Sequence, residues 1–236
     1  MTKNFIKEYT IDYKKQSIHI LIKKNKLSKS YKLTFDKKYL RGLVSIPRHV
    51  SFNNGLKFAN ENVDWLYKEM EQFFPLININ HNSMIMIKGK MMKILFKKSN
   101  ISSIKILGEN IIISSDKVNH KKLLKAWLDS EILNNSEEII KNISNNFDTN
   151  IKKIKLSNSY NYWGSCNSNG DININWRLVF SPKDVLKYII THEICHLIEF
   201  NHTKRFWKLV EELCPSYKKQ INWLQKNENY LYRIRI

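Results

Sequence analysis

His192-Glu193-Ile194-Cys195-His196 sets two imidazoles four residues apart with a carboxylate beside the first. An α-helix turns once in 3.6 residues, so positions i and i+4 share a face and can aim both rings at one point. Neutral imidazole nitrogens are ordinary zinc ligands. Glu193, one step round the helix, can reach a water on such a metal without ligating it, which is the arrangement of a zinc hydrolase. Shuffling a chain of this composition would produce HExxH about once in a hundred trials, so the spacing carries weight. The competing reading is a plain amphipathic helix with solvated histidines. Ile189, Ile190, Ile194, Leu197 and Ile198 oppose it, because they demand a buried helix. Two His and a Glu there carry a heavy desolvation cost unless paired or metal-bound.

A catalytic zinc takes three protein ligands and leaves one position open. His202, six residues beyond His196, is the leading third ligand. A spacing of six cannot stay on the same helix face, so the chain must turn; Asn201, which tolerates a left-handed backbone, suits that turn. Glu211, Glu212 and Glu228 are the alternative ligands a following helix could supply, and Glu199 is a polar neighbour. A metzincin layout is disfavoured. Glu199 stands where that pattern needs Gly, and the last Met is Met92, far upstream.

These rings need a helix to carry them. Ser181-Pro182-Lys183-Asp184 reads as an N-cap, a Pro at the first helical position and an acid in the first turn, predicting a helix from Pro182 to about Ile198. Thr203 caps the next helix, Lys204 to about Leu213, which Pro215 closes. Asn167 to Gly170 is rich in turn formers, and Ile172, Ile174 and Trp176 alternate with polar residues, which predicts a hairpin. Its second strand, roughly 171–178, is read either as an edge that pairs with extended substrate beside the metal helix or as an ordinary half-buried strand.

Tyr162-Trp163-Gly164-Ser165-Cys166, Asn175-Trp176-Arg177-Leu178, Thr191 to Leu197, Asn201-His202-Thr203 and Phe206-Trp207 occur in that order. This series resembles the bacterial YgjP-like metallopeptidases, a family related to the Wss1-like and SprT-like proteases. The resemblance covers most of the chain. It implies a minimal zincin fold, zinc ligands at His192, His196 and His202, and a catalytic acid/base at Glu193. Relatives commonly carry Ser where Thr203 stands, a change that keeps the capping hydroxyl. The resemblance also sets Gly164-Ser165-Cys166 near the site.

The chemistry expected is hydrolysis of a peptide bond. One Zn²⁺ per chain lowers the pKa of a water toward about 7, and Glu193 takes the proton and returns it to the leaving amine. Tyr160, Tyr162, Arg177 and Tyr217 are candidate donors to the developing oxyanion. Cys166, Cys195 and Cys214 are odd in number and widely spaced, with no CxxC, so no disulfide framework is indicated. No segment approaches a membrane span, and a cytoplasmic protein is expected.

The architecture expected is α+β: a basic, β-rich region over residues 1–119 with one helix at about 53–73, then a zincin-like core over 120–236. Strands are predicted at 18–22, 30–35, 43–46, 84–87, 91–96, 104–107 and 111–114, with a long helix from His120 to about Asn146. No internal repeat is evident. Net charge is +19, with +13 in residues 1–120 and +6 in 121–236. A biased, Lys-rich composition accounts for this charge without any partner; a basic face that attracts nucleic acid non-specifically is the competing reading, and with it a DNA-docked protease is the alternative to a simple peptidase. The 34 Lys against 6 Arg weigh against sequence-specific reading, which leans on Arg forks. A third reading, a non-enzymatic metal-stabilised module, has no use for Glu193.

Overall fold

A computed structural model describes residues 5–115, 119–144 and 151–236. The chain divides into two compact units, Met1–Leu76 and Ile77–Ile236.

In the first unit, strands β1 (Ile6–Tyr13) and β2 (Gln16–Asn25) form an antiparallel hairpin. Lys14 and Lys15 both take positive φ, 46° and 63°, the backbone of a two-residue primed turn. Lysines rather than Asn-Gly make this turn, so the sequence carries no hairpin signature that would announce β1. Strands β3 (Lys32–Asp36) and β4 (Arg41–Pro47) complete a sheet of order β1-β2-β4-β3, with β2 and β4 parallel. Alternate residues Ile18, Ile20 and Ile22 point into the core with Val44 and Ile46, as a two-residue period requires. Helices α1 (Phe52–Glu61) and α2 (Val63–Glu71) cover them with Ala59, Leu66 and Met70. The single helix expected over 53–73 is broken at Asn62, whose backbone leaves the helical region (φ −112°, ψ 16°). Its side-chain amide donates to the Phe58 carbonyl at 2.8 Å, giving the chain a local alternative to helix continuation.

The second unit repeats that strand order without repeating its residues. Strand β5 (Ile77–Asn78) precedes β6 (Met84–Ile87), β7 (Lys90–Lys98), β8 (Ser103–Leu107) and β9 (Asn110–Ser115). The last four form a sheet of order β6-β7-β9-β8, with β7 and β9 parallel. Helix α3 (His120–Ser144) contributes Leu124, Leu128 and Ile132 to a core shared with Ile94, Ile111 and Ile113. The last two residues of the predicted long helix, 145–146, lie outside the described residues. That shared core runs on to Ile189, Ile190 and Ile194, so the sequence boundary at 119/120 falls inside the second unit rather than at its edge.

After α3 comes a three-stranded sheet of order β10-β12-β11: β10 (Lys153–Ser157), β11 (Gly164–Cys166) and β12 (Asp171–Asn175). A 3₁₀ turn, Trp176–Phe180, leads to helices α4 (Lys183–Cys195), α5 (Lys204–Leu213) and α6 (Tyr217–Arg233). The terminal strand β13 (Ile234–Arg235) pairs with β5. No helix among the described residues is long and apolar enough to cross a membrane.

Candidate metal centre

Helix α4 is buried along most of its length by Val185, Leu186, Ile189, Ile190, Ile194 and Cys195. Its start differs from expectation. Ser181 does not cap it; the hydroxyl donates to the Leu178 carbonyl at 2.7 Å, closing the 3₁₀ turn, and Pro182 takes the cap position without a side-chain bond. His192 sits in the last turn, and His196 is the C-cap residue. The chain then winds tightly: Ile198 and Glu199 N–H groups both donate to the Cys195 carbonyl, and the Thr203 N–H donates to the Asn201 carbonyl at 2.7 Å. Asn201 is not among the residues with positive φ, so stacked tight turns, not a left-handed residue, reverse the chain. Thr203 caps α5 as expected, its hydroxyl accepting from the Phe206 N–H at 3.3 Å.

This local folding brings His192, His196 and His202 together, with one candidate ligand atom from each lying within 4.8 Å of the others. The Nε2 atoms of His192 and His202 are 3.1 Å apart. Two nitrogens on a tetrahedral zinc with bonds of 2.0–2.1 Å stand about 3.3–3.4 Å apart, so this pair fits a shared ion. His196 turns Nδ1 to the Glu199 carbonyl at 3.3 Å, which favours the tautomer that leaves Nε2 free to ligate. His192 Nδ1 is buried and has no partner. Burial and the two neighbouring imidazoles push the His192 pKa down to about 3, and burial lowers that of His196. Neutral rings are the form a cation requires.

An aromatic floor supports the triad. The Phe206 ring, fully buried, lies 5.0, 4.6 and 4.8 Å from His192, His196 and His202, and Trp207 stands 5.9 Å from His192 and 5.7 Å from His202. The Thr203 cap thus anchors the residue that touches all three rings. The sequence marks Phe206-Trp207 as a pair but suggests no role for them.

Glu193 is 6% exposed, and burial raises its carboxyl to about 7. It packs on strand β11. A Cβ built on Gly164 would lie 2.5 Å from Oε1, 2.7 Å from Cγ and 2.9 Å from Cδ of Glu193. Only glycine leaves room for this carboxylate, a requirement invisible without the fold. Glu193, His192, Gly164 and Tyr162 line one cavity of about 320 Å³. Asn175, fully buried, holds its wall: its side-chain amide donates to the carbonyls of Ser159 and Tyr162, and its N–H to that of Trp163. Tyr188, which the sequence does not single out, stands 5.9 Å from His192.

Other expectations are redistributed. Strand β12 is hydrogen-bonded on both sides, to β10 and β11, so residues 171–175 cannot offer a free edge, and 176–178 lie in the 3₁₀ turn. Strands β10 and β11 are the outer strands of this sheet, and β11 is the one that faces Glu193. Of the oxyanion candidates, Tyr162 is 47% exposed at the cavity. Tyr217 stacks on Trp207 at 5.5 Å. Tyr160 and Arg177 bond each other and line a separate cavity. Cys195 is core, and Cys166 is held protonated, its thiol raised to about 11 by burial and by Glu193 and Asp171. Glu211 and Glu212 are exposed on α5; Glu228 lines the cavity with Glu193 but is not in the histidine cluster.

A family model described as a YgjP-like metallopeptidase domain matches residues 29–227. Comparison with curated proteins and with solved structures gives no match.

Proposed function

The chain belongs to the YgjP-like metallopeptidase family, and from that premise we propose that it is a zinc-dependent peptide hydrolase with His192, His196 and His202 as ligands and Glu193 as acid/base. The observation that carries this reading is the meeting of three imidazoles within 4.8 Å beside a cavity that Glu193 shares with His192. An imidazole triad suits zinc. Bound there, the ion would act as a Lewis acid toward water and the scissile carbonyl.

The protein's own residues do the rest. Glu193 accepts a proton from the attacking water at its carboxylate and passes it to the departing amine nitrogen. Burial brings its pKa to about 7, where a carboxyl group can both take and give a proton at neutral pH; a cation beside it favours the ionised form. The outer edge of β11 can pair with an extended peptide main chain, running past Gly164 and thus past Glu193. Tyr162 lines the same cavity and is the donor we assign to the developing oxyanion.

Metal analysis and peptide cleavage on purified protein test the reading. Wild type and Glu193→Gln should each hold about one zinc per chain, and only wild type should cleave. His202→Ala should lose metal and activity together. Cleavage by Glu193→Gln at the wild-type rate, or a fully active, metal-loaded His202→Ala, would overturn it.

A further inference from the structure

A second cavity, about 560 Å³, opens between the first turns of α3, the 3₁₀ turn and β13. Lys121, Lys122, Lys125, Arg177 and Arg235 line it, against one acidic side chain, Asp129. That acid is already taken: Lys125 Nζ donates to both its oxygens, at 2.5 and 2.6 Å. Arg177 is 2% exposed, yet its partners are neutral. Nη1 donates to Asn158 Oδ1 at 2.7 Å and Nη2 to the Tyr160 hydroxyl at 2.5 Å. Arg177 Nε and Arg235 Nη2 are buried with no acceptor. Among the described residues no carboxylate forms an ion pair with either guanidinium. Burial lowers the Arg177 pKa to about 10, and Arg235 pushes the same way. Buried charges are normally paired; here the buried guanidinium nitrogens of Arg177 and Arg235 have no acceptor, and exposed Lys121 and Lys122 add two further cations at the mouth.

We infer that this cavity binds a phosphate dianion, free or carried on a small monoester. Several uncompensated charges favour a multiply charged oxyanion over a single carboxylate, and guanidinium forks with lysine point charges are the usual recognition set for phosphate. The aromatic rings are not open to a flat ligand. Trp176 carries Lys125 at 4.6 Å and Arg177 at 4.8 Å, and Tyr160 lies against Arg177 at 4.3 Å and Tyr232 at 5.3 Å. Recognition therefore rests on charge, not on stacking. An occupant would tie the start of α3 to the turn that precedes α4 and to the terminal strand.

Calorimetric titration of the full chain with inorganic phosphate, at ionic strength matched with chloride, tests this. Lys121→Gln/Lys122→Gln changes two exposed side chains, so folding is not at stake. Phosphate should bind wild type and bind the double variant about tenfold more weakly, while a Lys14→Gln/Lys15→Gln control in the other unit stays at the wild-type affinity. Phosphate held at the histidine centre would survive the Lys121/Lys122 change, so undiminished binding by that variant overturns the proposal, as does a response no larger than that to chloride. Glycerol phosphate in place of inorganic phosphate distinguishes the sources: equal affinity identifies a site for the terminal group of a monoester, and loss identifies one for the free ion.

Discussion

Each unit contains a strand glycine that admits a helix side chain, and the two admit opposite things. Gly42 on β4 faces Leu66 of α2; an added Cβ would stand 2.8 Å from Ile20 Cδ1 and 3.0 Å from Leu66 Cδ1. Gly164 on β11 faces Glu193 of α4, with three of its side-chain atoms inside 3.0 Å. In the first unit the missing Cβ makes room for packing, and in the second for a carboxylate. The two four-stranded sheets, β1-β2-β4-β3 and β6-β7-β9-β8, share one order. They differ in the helices attached to them. The first sheet is closed by α1 and α2, whereas the second passes its core to α3 and α4, which ends in the histidine cluster. Shared topology carries no chemistry of its own; the elements appended to it do.

That contrast can be attacked at four points. Phe206→Ala removes the ring beneath all three imidazoles and should cost about 3–5 kcal/mol of stability, together with zinc affinity. Denaturant titration of metal-loaded and chelator-treated protein reads both, and an unchanged zinc Kd would show that the floor does not hold the triad. Gly164→Ala should lower kcat/KM about 100-fold, the scale of a roughly 1 Å displacement of a reacting group, with zinc content intact; near-normal turnover would mean Glu193 tolerates displacement. Gly42→Ala meets only side-chain ends. It should cost about 1–3 kcal/mol and leave peptide cleavage untouched, and a drop in kcat would deny the division of labour.

The last effect is in pH. Glu193 is raised by burial from 4.5 to about 7, so its contribution to stability is present below 4.5 and is lost as pH rises through 7. Glu193→Gln lacks that loss. His192 is depressed instead and contributes oppositely, but it is common to both proteins and cancels. After chelation the variant should therefore gain in Tm relative to wild type by several degrees between pH 5 and pH 8, about 2–3 kcal/mol. A difference in Tm that does not vary with pH would show that Glu193 is not held in a desolvated state.

The periodic segments are legible in the sequence. Strand β6 has the predicted ends, α3 starts at His120, and Thr203 caps α5. Each is written in local alternation, helical periodicity or a capping hydroxyl. Strand β1 is not, because Lys14 and Lys15 adopt a turn whose usual residues are absent. The break at Asn62 is hidden because a side-chain-to-backbone bond, not Pro or Gly, makes it.

The HExxH spacing alone placed two imidazoles and a carboxylate on one turn of helix, since i and i+4 geometry needs only local backbone. Everything that depends on separate segments meeting was decided by the tertiary fold. It put β12 inside its sheet and β11 at an edge, gave Gly164 its contact with Glu193, set Phe206 under three rings, and drew Arg177 away from the histidines into a cavity of its own. Those contacts join residues from separate elements, where periodicity carries no information and packing chooses the partner.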